Sequence, residues 1–183
     1  MEPKGGEIDW VVEKSKIAIA KDATAFKLLF NHFYAPLLGF SLSITGNKEI
    51  SEDIMADFMV KLWTQPEKLL KINHLKTYLY TSVKNLSLNA LEKIKVRHNH
   101  LNSLNPEPRD PNNPERELLI KELKGQIEQA IAQLPPKSKM ALILIRDNDC
   151  SYKEAADIME VSIKTIDRHL QIAMGKIKEN LNL

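Results

Sequence analysis

Cysteine, glycine and long apolar runs are all scarce in this chain of 183 residues. A single cysteine, Cys150, excludes a disulfide within the chain and a zinc site built from several cysteines. Because no apolar run reaches about 18 residues, the sequence predicts no membrane-spanning helix. The first residues, MEPKGGEIDW, lack the apolar core of a signal peptide. We therefore expect a cytoplasmic protein.

Patterns that carry enzyme chemistry are also missing. We find no Gly-rich phosphate loop and no nucleophile placed beside a base. The histidines lack the spacing of metal ligands. They are His32, His74, His98, His100 and His169. His98 and His100 are two positions apart, so they would face different ways on a helix. The sequence thus predicts no enzyme, no cofactor and no metal.

What the chain does contain is helical periodicity. Apolar residues make up 43% of it, with only six glycines, which is typical of a packed helical protein. Helices are predicted over about 8–20, from a cap at Asp22 to Ile44, over about 49–64, and from Leu75 onward. Pro36 should kink or break the second of these. The predicted inner stripe of the fourth is Leu75, Leu79, Val83, Leu86 and Ala90.

A proline-rich segment divides the chain. Leu101 to Pro114, LNSLNPEPRDPNNP, carries four prolines and few apolar residues, and a new helix should begin at Pro114. We therefore predict an all-α fold with two helical domains joined by a Pro-rich linker. The predicted boundaries are 1–100 for the N-terminal domain, 101–114 for the linker and 115–183 for the C-terminal domain.

The stretch from Leu134 to Lys178 predicts a helix-turn-helix. Pro135 and Pro136 preset the first turn of a helix that runs to about Asp147. Ser151 and Glu154 form a capping box for the next helix, and Ser162 can cap the one after it.

The last helix separates its residues by face. The predicted inward positions are Ile166, Leu170, Ala173 and Ile177. The predicted outward positions, which are candidates for reading DNA, are Lys164, Thr165, Asp167, Arg168, Gln171 and Ile172.

A basic segment precedes the linker. From Lys71 to His100 there are six Lys or Arg residues and one Glu, interleaved with Tyr78, Tyr80, Asn85 and Asn89. Cations neutralise phosphates, rings stack on bases and amides read base edges, so the composition suits a nucleic-acid strand. A solvated helix face is the alternative.

The order of these parts resembles bacterial RNA polymerase sigma factors of the extracytoplasmic-function group. SEDIMADFMVKLW (Ser51 to Trp63) resembles the polymerase-binding helix, and LKTYLYTSVKNLSLNAL (Leu75 to Leu91) resembles the promoter-melting helix. The stretch from Leu134 to Lys178 resembles the domain that reads the minus thirty-five element. Three blocks in this order are far more specific than a helix-turn-helix alone.

The resemblance implies a factor that binds core RNA polymerase, directs promoter recognition and strand opening, and is controlled by an anti-sigma factor. Asp53 and Asp57 would contact the polymerase, and the connection from Gln65 to His74 would hold a flipped base of the minus ten element. The residues implied to line the path of the non-template strand are Lys76, Tyr80, Lys84, Asn85 and Asn89. Those implied to face the minus thirty-five element are Lys164, Thr165, Arg168, Gln171 and Ile172.

Three positions depart from the family pattern. Ala56 stands where a glutamine is usual, and Asp167 where a basic residue is common. Glu160 occupies the turn position that usually holds glycine, which predicts a mildly strained positive φ. The alternative function is a free-standing helix-turn-helix regulator that acts without polymerase, but it leaves the basic segment without a purpose.

Overall fold

The computed structural model describes residues 8–98, 125–127 and 129–181, and every described element of regular structure is a helix. The chain divides into two compact units, residues 1–90 and 91–183. The all-α, two-domain prediction is thereby confirmed, with a helix-turn-helix in the second unit. The linker at 101–114 and the helix start at Pro114 lie outside the described residues, so the domain boundaries stay predictions.

The helices follow one another in chain order. They are α1 (Trp10–Ala20), α2 (Ala23–Thr45), α3 (Lys48–Thr64), a 3-10 helix (Pro66–Lys71), α4 (Leu75–His98), α5 (residues 125–127 and 129–132), α6 (Pro136–Arg146), α7 (Tyr152–Met159) and α8 (Ile163–Leu181). Across the part of the chain described here, none is long and apolar enough to cross a membrane.

The first three helices begin at side-chain caps. The carboxylate of Asp9 accepts bonds from the amides of Val11 and Val12 at 2.9 and 3.3 Å. Asp22 does the same for α2, and the Asn47 side chain accepts from Ile50 N at 3.0 Å for α3. Each cap satisfies amide groups that a helix start leaves unpaired, which fixes where these helices begin.

The core of the first unit lies among α2, α3 and α4. Its largest members include Leu29, Leu37, Phe40, Met55 and Leu79, all fully buried. Of the kink or break predicted at Pro36, the break does not occur, because α2 continues from Ala23 to Thr45 with Pro36 on its exposed side. Pro36 has no backbone N–H and cannot donate a hydrogen bond within the helix. The buried side chains of Phe33 and Leu37 hold the helix in place on either side of it.

The inner stripe of α4 differs from the prediction at its fourth position. Leu75, Leu79 and Val83 are buried as expected, but Ser87 follows them into the core and Leu86 is 37% exposed. A spacing of four residues keeps Ser87 on the same face, and its hydroxyl lies 2.9 Å from that of Ser41 on α2. This buried pair joins α4 to α2.

In the second unit α6, α7 and α8 pack pairwise against one another. Ile158 and Ile166 are fully buried, and Leu134, Leu142 and Ala173 form a further cluster. Leu170 and Ile177 pack against that cluster, so the predicted inward face of α8 is confirmed.

Candidate polymerase and nucleic-acid interfaces

The outward face of α3 carries a stripe of two acids and two small apolar residues. Asp53, Ala56, Asp57 and Val60 recur at helical spacing and are all exposed, Val60 to 61%. We call these four residues the α3 stripe. Both predicted polymerase-binding acids lie on it, and the departure at Ala56 lies between them. An exposed valine one turn from a carboxylate suits a partner that is basic and partly apolar.

A cleft of about 200 Å³ opens where the end of α3, the 3-10 helix and α4 meet. Its apolar wall includes Phe58 and Leu62, and its cations are Lys61 and Lys68. The remaining lining residues are Gln65, Tyr78, Ser82, Asn85, Leu86 and Asn89. A ring, several amides and two ammonium groups around one opening are the groups that bind an unstacked base and its phosphate.

The structure brings together two of the five residues predicted to line the strand path. Asn85 and Asn89 are exposed and line the cleft, while Lys76 is half-buried. Tyr80 is only 2% exposed and Lys84 only 6% exposed, so neither side chain lies on the surface. The Tyr80 ring instead packs edge-on against Phe40, with 5.3 Å between ring centroids.

Tyr78 is an aromatic residue of the cleft, and the predicted set lacks it. It lies in the basic segment and lines the cleft, whereas its neighbour Tyr80 is in the core. Helical spacing in the sequence could have identified Tyr78. Residues at intervals of three or four lie on one face of a helix, and these intervals separate Tyr78, Ser82, Asn85 and Asn89.

The connection from Gln65 to His74 is partly helical and partly buried. Its 3-10 helix buries Pro66 and Leu69 on one side. Gln65 and Lys68 line the cleft on the other. The connection therefore forms one wall of the cleft.

The predicted DNA-reading residues lie at the N-terminal half of α8. Ser162 caps this helix, with its hydroxyl accepting a bond from Thr165 N at 3.1 Å. Four of the five are exposed and Thr165 is half-buried. The exposed ones are Lys164, Arg168, Gln171 and Ile172. We call these five residues the α8 reading face.

The turn before α8 contains the predicted strain. The capping box of α7 is formed, with Ser151 N donating to the Glu154 carboxylate at 2.8 Å and Glu154 N donating to the Ser151 hydroxyl at 3.2 Å. At the other end Glu160 has φ 57° and ψ 45°, in the left-handed region. Val161 N donates to Ala156 O at 3.0 Å, which closes the helix as in a Schellman motif.

Asp167 has a partner on its own helix. The amide nitrogen of Gln171 donates to the Asp167 carboxylate at 2.8 Å, and both side chains are exposed. One turn separates them, so the pair orients Gln171 along the helix surface. The negative charge of Asp167 thus lies beside Gln171 of the reading face, and between Lys164 and Arg168 in sequence.

His169 is half-buried beside this face. Its Nδ1 lies 3.4 Å from the hydroxyl of buried Ser138. Burial lowers the pKa of His169 from its ordinary value, and the nearby charges of Lys137 and Arg168 lower it further. The ring is accordingly neutral near pH 7, and the positive charge of this region comes from its Lys and Arg residues.

Comparison with known families identifies both units. The model described as "Sigma-70 region 2" matches residues 29–97, and "Sigma-70, region 4" matches residues 124–177. The two matches occur in the chain order expected of one factor. The first includes most of α2, all of α3 and nearly all of α4, and the second includes α6, α7 and most of α8.

Whole-length relatives agree with these matches. The chain is 22% identical over 191 residues to "ECF RNA polymerase sigma factor RpoE" of Cereibacter sphaeroides, covering 100% of both chains. It is 25% identical over 169 residues to "ECF RNA polymerase sigma-E factor" of Haemophilus influenzae, covering 87% of this chain and 89% of the relative.

Two solved structures share the fold. One is sigma factor RpoE in complex with anti-sigma factor NepR from Bartonella quintana, with a TM-score of 0.62, 21% identity and coverage of 86% of this chain and 97% of that one. The other is CnrH in complex with the cytosolic domain of CnrY, with a TM-score of 0.65, 14% identity and coverage of 94% and 96%. Taken with the region 2 and region 4 matches, these relatives show that the chain belongs to the sigma-70 family of transcription initiation factors and is a sigma factor of the extracytoplasmic-function group.

Proposed function

We propose that the three surfaces described above divide the work of a sigma factor, which binds core RNA polymerase and directs initiation at promoters. The α3 stripe contacts the polymerase, the cleft captures a base of the opened minus ten element, and the α8 reading face contacts the minus thirty-five duplex. The observation that carries this proposal is the shared use of α3, whose outer face holds Asp53 and Asp57 and whose inner residues Phe58 and Leu62 form a wall of the cleft.

The cleft suits strand capture on energetic grounds. Opening a duplex costs a few kcal/mol per unstacked base, and an enclosed site must offset this with stacking and hydrogen bonds. Tyr78 supplies a ring, Asn85 and Asn89 supply amides, and Lys68 supplies a charge for the phosphate. Because Tyr80 and Lys84 are buried, we assign the direct contacts to the cleft residues rather than to these two.

The reading face combines the two kinds of contact that duplex recognition needs. Lys164 and Arg168 can neutralise phosphates, which adds affinity for any sequence, while Gln171 and Ile172 can reach base edges and a thymine methyl. Exposure of these side chains along one face of α8 supports this assignment.

One set of variants tests the three roles with the full chain and core polymerase. Asp57→Ala should weaken core binding, Asn85→Ala should weaken binding of holoenzyme to a premelted promoter fragment, and Arg168→Ala should weaken binding to the upstream duplex. Each has a control at an exposed position that belongs to none of the three surfaces as defined above: Glu179→Ala, Leu88→Ala and Lys176→Ala, respectively.

The readouts keep the three roles apart. Affinity for core polymerase is measured by fluorescence anisotropy. Binding to the premelted promoter fragment and to the upstream duplex is measured by competition, and start sites are mapped by sequencing transcripts made from a genomic library. A failure of the wild-type chain to bind core polymerase at low salt would refute the whole proposal. Loss of core binding together with both DNA activities in Asn85→Ala or Arg168→Ala would mean that the variant had misfolded rather than lost a contact.

We further propose cytoplasmic localisation and control by an anti-sigma factor that covers exposed apolar residues of the α3 stripe and the α8 reading face. Val60 on α3 and Ile172 on α8 are exposed, and the relative from Bartonella quintana was solved with an anti-sigma factor bound. Purification of the chain from its native cells should recover a partner that competes with core polymerase. Simultaneous binding of that partner and core polymerase would contradict this mode of control.

A further inference from the structure

Lys14 on α1 is a buried cation. Its side chain is 8% exposed and lies on the inner face of the helix with Ile17, which is fully buried. The ion pairs found among the described residues join Lys16 to Glu13 and Lys48 to Glu52, and neither includes Lys14. Burying an ammonium group is costly unless it is hydrogen-bonded, so packing alone does not account for a lysine here.

The partner of this ammonium group is a backbone carbonyl in the connection from Gln65 to His74, whose residues Gln65 and Lys68 line the cleft. Lys14 Nζ donates to the carbonyl oxygen of Ile72, 58 positions further along the chain. Ile72 directly follows the 3-10 helix, where its amide donates to Leu69 O at 3.2 Å and its backbone turns extended. Lys14 therefore binds the chain at the point where it leaves the 3-10 helix.

That point lies between two groups of cleft residues. Before it, Gln65 and Lys68 line the cleft, and after it the chain enters α4, on which Tyr78 lines the cleft. The amide of Tyr78 donates to His74 O at 3.0 Å in the first turn of α4. A displacement of Ile72 would consequently shift both the 3-10 wall and the start of α4.

The 3-10 helix depends on such contacts for its position. Short 3-10 helices have poor hydrogen-bond geometry and little stability of their own. This one packs against α1 and buries Leu69 completely. Since α1 (Trp10–Ala20) precedes residue 29, where the region 2 match begins, this support is a feature of the chain outside the matched region.

We propose that Lys14 is a positioning residue that holds the connection from Gln65 to His74 in place, so that the cleft is preformed for the opened strand. The proposal rests on the strand-capture role of the cleft given above. Lys14 touches neither DNA nor polymerase in this scheme and acts through the Ile72 carbonyl. A preformed site loses less free energy to ordering when it binds, so Lys14 increases strand affinity without adding a contact.

The test compares three variants of the full chain, each assembled with core polymerase: Lys14→Met, Lys14→Arg and Lys16→Met. Methionine keeps most of the side-chain volume and removes the donor, whereas arginine keeps a charged donor. Lys16→Met removes an exposed cation from the same helix and serves as the matched control. The probe is a premelted promoter fragment taken from a start site mapped with the wild-type holoenzyme.

Lys14→Met should weaken binding to this fragment by about tenfold, because a charge-assisted hydrogen bond that orders the site is lost. Its affinity for core polymerase should stay within about twofold of wild type. Lys14→Arg should recover most of the loss, and Lys16→Met should behave as wild type. Fragment binding by Lys14→Met at wild-type strength, or no recovery in Lys14→Arg, would overturn the proposal.

Amide hydrogen exchange separates positioning from general stability. In Lys14→Met the amides from Leu69 to Ile72 should exchange faster, while amides in the middle of α2 and α3 should exchange at the wild-type rate. Faster exchange throughout the unit would make Lys14 a general stabiliser and overturn the inference. If instead the wild-type holoenzyme does not bind the premelted fragment, the strand-capture role itself fails, which is a distinct result.

Discussion

Replacing Glu160 by glycine should stabilise the C-terminal unit. With φ at 57°, Glu160 lies in the left-handed region, which costs an L-residue about 1–2 kcal/mol. Glycine avoids this cost but gives the unfolded chain more freedom, which offsets about 0.4–1 kcal/mol of the gain. The backbone hydrogen bonds from Glu160 N to Asp157 O and from Val161 N to Ala156 O are kept in this variant. The net stabilisation should be about 0.5–1 kcal/mol.

The assay must report on the second unit. Both tryptophans of the chain, Trp10 and Trp63, lie in the first unit, so their fluorescence does not follow unfolding of α7 and α8. Exchange of the amides of Val161 and Ile166 does, because both are hydrogen-bonded within the helix-turn-helix. Glu160→Gly should slow their exchange by about two- to fivefold, as expected for this gain in free energy.

A second glycine variant should have the opposite effect on the stability of the second unit. Lys176 is exposed on α8 in ordinary helical conformation, so Lys176→Gly should destabilise the same unit by about 0.5–1 kcal/mol. Slower exchange in Glu160→Gly together with faster exchange in Lys176→Gly would support the reasoning. Faster exchange in both would refute the claim that the turn is strained at Glu160.

Three further predictions concern side chains inside the two units. Tyr80→Ala should destabilise the first unit by about 3–5 kcal/mol, as for a large buried ring, and thermal unfolding followed by tryptophan fluorescence would measure it. Ser87→Ala should cost about 1–3 kcal/mol by leaving the Ser41 hydroxyl without this partner, whereas the double change to alanine should cost less than the two single changes added together. The pKa of His169 is lowered in the folded protein. As the pH falls through 6.5, the unfolded chain therefore binds more protons at this residue than the folded chain does. The second unit should therefore lose stability from about pH 6.5 downward, and His169→Gln should remove this dependence, as measured by amide exchange at several pH values.

The helix-turn-helix was predictable because its signals are local. The capping box of Ser151 and Glu154 and the cap at Ser162 involve residues three positions apart, and both form as predicted. The inward face of α8 follows from helical spacing alone, since its polar and apolar residues separate cleanly. Strain at Glu160 was also local, because a helix end of this kind needs a positive φ whichever residue occupies it.

The cleft was not predictable in the same way, because α4 places polar and apolar residues on several faces. Lys84 and Ser87 are buried while Leu86 and Leu88 are partly exposed, so residue type does not identify the inner face of this helix. Packing against α2 decides it, and the pairing of Ser41 with Ser87 is one of the contacts that do so. That choice is why Tyr80, rather than Tyr78, enters the core.

Charge on the reading face points to the polymerase as the source of most binding free energy. Lys164 and Arg168 supply two cations, Asp167 places a carboxylate between them in sequence, and His169 is neutral. Each neutralised phosphate contributes about one unit to the salt dependence of binding, so two phosphates give only weak affinity for duplex DNA. If the α3 stripe holds the factor on polymerase, as proposed above, tethering would raise the local concentration of the reading face at the promoter and so overcome this weakness. Weak binding by α8 alone is therefore compatible with selective initiation, and it keeps the factor from occupying DNA when no polymerase is bound.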